Sequence, residues 1–398
     1  MVPVNGPPAK RLVPFAYGFR PFFLLAGLFA AVSVTAWLWM YGSGVVADTR
    51  VPLPYWHGHE MIFGFIGAAI AGFLLTAVPS WTGIRGFSGW PLVLLTVLWL
   101  AGRIAFGLGG QVPFALLAVA ELAFLPAVML FVAPSLIHSG NRNTPLLAVL
   151  FAFWAMDALF LYGLATGKPA SSGMALRGAL GLVLLLITVI GGRIVPAFTR
   201  NALRQAVSDA AMRSSAPVEK MVLPAMLGYA VADMLVPAGA VTAWVAAVAA
   251  VLQAWRLAGW QGLRTGSQPI VAILHVAYLW LPIGLALKAA FLLGGFAWAA
   301  YWQHALGAGA AGSMILAVMT RAALGHTGRP LRAHPVTVVA YGLLTAAVTV
   351  RVFGPGLWPG HYVAVVMTAG TLWLAAFLLY LGAYLPVLLL PRVDGKPG

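Results

Sequence analysis

Twelve stretches of this chain are long and apolar enough to cross a lipid bilayer, and only short connections are left between them. A helix needs about 20 mostly apolar residues to span the hydrocarbon core, where every backbone polar group must be satisfied inside the segment. The stretches are 21–41, 59–80, 88–108, 112–133, 146–165, 174–195, 219–236, 239–258, 268–293, 296–320, 335–353 and 361–386. Their tightest divisions fall at Pro237-Ala238-Gly239 and Gly294-Gly295. Only 8% of the residues are charged, against about a quarter in soluble domains. The chain is therefore expected to be an all-α integral membrane protein of about twelve transmembrane helices. It reads as one polytopic domain over 1–398, with 197–218 as a cytoplasmic connection.

Charge placement tests the count. With the N-terminus inside, all but six of the 23 basic residues fall in inner connections or inner helix ends. The six on the outer side are Arg50, Arg103, Lys168, Arg177, Lys288 and Arg351. That bias is what the positive-inside rule expects, so both termini are expected to be cytoplasmic. The net charge of +15 is spread through these connections without a basic arm or patch, which argues against nucleic acid as a partner and for membrane lipids. Lys10 and Arg11 precede the first span without a small-residue cleavage pattern after it.

The chain has no cysteine. Iron–sulfur clusters, thiolate-ligated haem, c-type haem and thiolate copper are thereby excluded, and any metal must rely on His, carboxylate, Met or Tyr. Trp56-His57-Gly58-His59-Glu60 runs straight into the apolar stretch from Met61 to Pro79, and His304 begins another. Aligning 56–83 with 301–328, an offset of 245, matches His59 to His304, Gly64 to Gly309, Gly67 to Gly312 and Gly83 to Gly328. The two helices would enter from outside with a histidine and end in Thr-Gly, as an internal duplication would. Imidazoles suit haem iron or copper. His59, His304 and His275 are the expected cofactor ligands, with His57 and His326 as further metal ligands. His275 lies on the inner half of its segment, so it either reaches the others through a kink or serves a second centre with His326. Helical spacing puts His57 and Glu60 on one face. Glu121 and Asp157 lie at mid-depth, where acids are costly and serve either proton chemistry or helix contacts. Asp233 is shallower and reads as structural. Arg193, beside the Gly191-Gly192 break, is placed to meet a propionate, a phosphate or an internal carboxylate, or to anchor a lipid headgroup.

Taken together, Gly18-Phe19-Arg20-Pro21-Phe22-Phe23, Trp56-His57-Gly58-His59-Glu60-Met61, Gly191-Gly192-Arg193 through Phe198-Thr199, and His304 through Gly325-His326-Thr327-Gly328-Arg329 resemble the NnrS family over nearly the whole chain. The resemblance implies a multi-pass protein of the bacterial inner membrane carrying haem, of the b type here, and copper. It also implies a role with nitric oxide in denitrification or nitrosative stress, as a binding protein or an oxidoreductase supplied by an electron-donor protein. On that reading Glu60, Glu121 and Asp157 are the catalytic acids. A distant similarity to haem–copper oxidase subunit I is also drawn, although His304-Ala305-Leu306 departs from the His-x-His of that family's tenth helix. The competing reading is a transporter of haem, copper or another small solute.

Overall fold

The computed structural model describes residues 12–44, 51–203 and 215–396. It is all-helical, with no strand among those residues. Eleven helices are long and apolar enough to cross a membrane: α1 (Phe19–Ser43), α2 (Leu53–Thr82), α3 (Trp90–Gln111), α4 (Phe114–His138), α5 (Leu146–Ala165), α6 (Pro169–Leu203), α8 (Ala240–Ala258), α9 (Pro269–Gly294), α10 (Ala297–His326), α11 (Pro335–Leu357) and α12 (Pro359–Leu389). The remaining expected segment, 219–236, folds as α7 (Ala216–Leu235), and Glu219, Lys220 and Asp233 set it apart from the eleven in composition. It packs against both α6 and α8. Helix α6 runs on to Leu203 instead of ending near 195. Of the expected connection 197–218, residues 204–214 lie outside the described residues.

The first and last helices close the bundle. Arg20 is fully buried, and its Nη1 donates to the carbonyls of Leu388 at 2.9 Å and Leu390 at 2.8 Å. These are among the carbonyls a helix leaves unsatisfied at its C-terminus, where a cation is also favoured by the helix dipole. The Phe19-Arg20-Pro21 stretch is thus a clamp on α12 and not the interfacial anchor its composition suggests. Trp373 Nε1 donates to Ala30 O at 3.0 Å along the same seam.

Three helices contain a π-wound segment: Glu60–Ile66 in α2, Ile187–Gly191 in α6 and Ala305–Gly312 in α10. Such turns are rare and gather at functional sites. In α2 and α10 the widened winding starts one residue after His59 and one after His304, at the offset of 245 seen in the sequence. Both helices give way to a glycine with left-handed backbone, Gly83 at φ +71° and Gly328 at φ +72°. The weak sequence repeat therefore has a counterpart in the helix geometry. Elsewhere, α4 is interrupted between Leu122 and Phe124. Pro126 has no N–H to give the Leu122 carbonyl, and Trp154 Nε1 takes that acceptor instead at 3.0 Å. The break fixes the turn that carries Glu121.

Candidate functional site

Helix α2 has a different site on each side of its N-terminal end. On the α3–α4–α5 side, four charged residues converge on His59, whose side chain is fully buried. His59 Nδ1 meets Glu60 Oε1 at 3.0 Å, and its Nε2 meets Asp157 Oδ1 at 3.0 Å and Glu121 Oε1 at 3.8 Å. Arg103 Nη1 donates to Glu60 Oε1 at 2.6 Å, and its Nη2 donates to Glu121 Oε1. The His59 ring lies flat on Phe106, with centroids 3.9 Å apart and planes 11° apart, and Phe160 closes another side. A straight α-helix would have put His57 beside Glu60. The π winding that starts at Glu60 brings it to His59 instead. The Gly64 carbonyl in this segment, which takes the Gly67 N–H, also accepts from Trp99 Nε1 at 3.2 Å.

Three carboxylates face one guanidinium in this cluster, leaving two negative charges in apolar surroundings. Buried charges persist only when paired. Two protons would settle the balance, His59 taking one and a carboxyl the other, and so would one divalent cation. His59, Glu121 and Asp157 each offer a ligand atom, all within 4.8 Å of one another. Glu121 and Asp157, from different helices, thus meet at one imidazole. In the sequence Arg103 stands out only as one of six basic residues on the expected outer side. Its burial between two carboxylates makes it the electrostatic centre of the cluster. The clue was available: intramembrane acids such as Glu121 and Asp157 call for a cation or a proton.

On the other side of α2, His57 faces His304 of α10. Their ring centroids are 6.3 Å apart and their planes 17° apart. Among the described residues neither imidazole has a hydrogen-bond partner. Trp37 packs on His57 at 4.8 Å. Both histidines line a cavity of about 540 Å³ between α1, α2, α6 and α10–α12, walled by Trp37, Phe65, Trp302 and Trp373. Its charged lining is Arg177, Asp233 and Arg351. Asp233 is engaged by Lys288 Nζ at 2.7 Å. Ile66 also borders a second, almost wholly apolar cavity of about 120 Å³, whose lining includes Leu150, Val183, Ile187 and Met314.

The other expected residues lie elsewhere. His275 Nε2 is bonded to Thr199 Oγ1 at 2.7 Å, and its ring stands edge-on to Trp260. His326 packs between Tyr17 and Phe19. Arg193 Nη1 donates to Asn143 Oδ1 at 2.6 Å. The chain thus brings His59 together with Glu60, Glu121 and Asp157, and His304 together with His57. His275, His326 and Arg193 have separate surroundings. Arg177 and Arg351 were not singled out in the sequence as site residues, although both are among the six basic residues that the charge bias leaves on the expected outer side.

No curated protein sequence matches the chain. The sequence model of the family described as NnrS protein matches residues 13–392, from the start of the first helix to just past the last. The chain belongs to the NnrS family.

Proposed function

We propose that this chain is a haem-binding protein of the bacterial inner membrane that binds or converts nitric oxide, with the haem held by His57 and His304. The observation that carries the reading is the pairing of two unpartnered, near-parallel imidazoles across a large apolar cavity. A metal–nitrogen bond is about 2.0–2.1 Å, and a ring nitrogen lies about 1 Å from its ring centre. Two imidazoles whose ring centres are 6.3 Å apart are therefore close enough for both to hold the same metal. The cavity volume of about 540 Å³ is in the range of cofactor pockets. Gly307 lines the same cavity, and a Cβ built there meets nothing within 4 Å, so its backbone is open to a flat ligand. The residues present therefore fit a haem.

Bound haem would supply an iron centre, on which an uncharged diatomic ligand could take the place of one of the two imidazoles. The chain's own groups supply the rest. His57 and His304 present lone pairs, with Trp37 fixing the ring of His57. The aromatic walls exclude water, and the small apolar cavity bordering Ile66 gives an uncharged gas a place beside the pocket. The His59 cluster is the proton store: His59, Glu121 and Asp157 hold and exchange protons on the far side of α2, with Arg103 holding Glu60 and Glu121 in place. Both sites lie towards the periplasmic face, with both termini cytoplasmic and α7 as the twelfth span. An electron-donor protein would dock on that face or through the membrane.

Copper fits the His59 cluster less well. One imidazole and two carboxylates form a hard donor set, unsuited to a cuprous ion, and Arg103 already supplies a cation there. No step is assigned to copper. The test of the proposal is an anaerobic titration of purified protein with nitric oxide, followed by absorption. The haem bands should shift with the gas in the wild type. A protein that is purified without haem, and whose spectrum stays unchanged after haem is added, would refute it.

A further inference from the structure

The cavity that holds His57 and His304 carries more positive charge than it can neutralise. Arg177 and Arg351 line it, and Lys288 stands behind Asp233 in an ion pair of 2.7 Å. Asp233 is therefore already matched. Among the described residues, neither arginine faces a carboxylate in an ion pair. The Nε of Arg177 donates to the Asp233 backbone carbonyl at 3.0 Å. The Nη1 of Arg351 is buried without a hydrogen-bond partner, and its Nη2 reaches only the Tyr362 hydroxyl at 3.5 Å. An orphaned buried N–H is costly, and the more so on a charged guanidinium. A site with two unmatched cations and apolar walls selects a ligand that is itself apolar over most of its surface and carries two negative charges.

We propose that Arg177 and Arg351 bind the two carboxylates of the tetrapyrrole held by His57 and His304. The inference rests on the haem reading above and adds the determinant of affinity and orientation to it. Arginine suits the role, since its planar fork matches a carboxylate and stays charged in a low-dielectric site. Arg351 is also steadied from below by the Tyr301 ring, whose centroid is 5.0 Å from its Cζ. The clamp fixes which way round the macrocycle enters. The imidazoles alone do not determine that.

The test compares haem b with its dimethyl ester, which keeps the ring and the iron and lacks both charges. Each is titrated into haem-free wild-type protein in detergent, and binding is read from absorbance. Charge-assisted hydrogen bonds of about 1.5–3 kcal/mol predict a preference for haem b of roughly ten- to a hundred-fold. Arg351→Leu and Arg177→Leu should each reduce that preference and leave the affinity for the ester nearly unchanged. The wild-type comparison needs no variant and so survives any folding defect. Equal affinity of the wild type for both ligands would overturn the clamp and leave the haem site standing. Binding of neither ligand would remove the haem reading and the clamp with it. Release of a co-purified anionic lipid from Arg351→Leu, at unchanged haem affinity, would identify a lipid headgroup as the occupant and also overturn the proposal.

Discussion

Replacing Arg103 with methionine removes the only guanidinium from a cluster of three carboxylates. The side chain is isolated from solvent together with Glu60 and Glu121, all at 7% exposure or less, so water cannot screen the charges left behind. Removing one partner of a buried ion pair costs about 3–5 kcal/mol, most of it from the uncompensated charge. With an unfolding entropy of roughly 2 cal/mol/K per residue, that corresponds to a fall in Tm of about 4–6 °C for a chain of this length. Adding Glu121→Gln to Arg103→Met removes charge from both sides of the pair, so the double variant should be more stable than Arg103→Met alone. The assay is thermal unfolding in detergent of wild type, both single variants and the double variant. The reasoning is refuted if Arg103→Met loses less than about 1 °C, or if the two changes simply add.

Three further outcomes follow from other parts of the molecule. Glu121→Gln and Asp157→Asn should keep the haem content and alter the rate or pH dependence of any reaction with nitric oxide; unchanged kinetics in both would take the cluster out of the proton chemistry. Gly64→Val should destabilise by about 1–3 kcal/mol through overpacking, because a Cβ at Gly64 runs into the Phe29 ring and Arg103 Nη1; a wild-type Tm would contradict the packing described. Beyond the last helix, hydrogen bonds from Arg392 hold the exposed Asp394 carboxyl down at about 2. Arg392→Gln should let it rise towards the ordinary carboxylate range near 3.9, read by NMR titration.

The helices were legible because their cause is local. Twenty apolar residues in a row have few other fates: eleven of the twelve segments read from the chain fall in helices long and apolar enough to cross a membrane, and 219–236 falls in a helix that carries Glu219, Lys220 and Asp233. The sites were legible in part. His59, Glu60, Glu121 and Asp157 could be nominated because polar groups at depth need a reason. Their convergence depends on the π turn at Glu60 and on the Pro126 break in α4, and neither local winding has a periodicity to read. Pairing His304 with His59 followed the repeat, but a repeat places equivalent positions and does not say which neighbour faces the partner. His57 does, because residues two apart on a helix, as His57 and His59 are on α2, point to nearly opposite walls. The most informative overlooked signal was the set of basic residues on the disfavoured side. Of the six, Arg103, Arg177, Lys288 and Arg351 all serve the two sites. A cation kept where the charge bias opposes it is there for a buried partner.

The central claim is that His57 and His304, rather than His59, hold the haem. The direct measurement is haem content and spectrum of His57→Ala, His304→Ala and His59→Gln, purified from membranes in parallel with wild type. Loss of haem or a changed spin state is predicted for the first two, with wild-type haem in His59→Gln, whose two ring nitrogens are engaged by Glu60 and Asp157. Wild-type spectra in both His57→Ala and His304→Ala, or loss of haem in His59→Gln alone, would contradict the account.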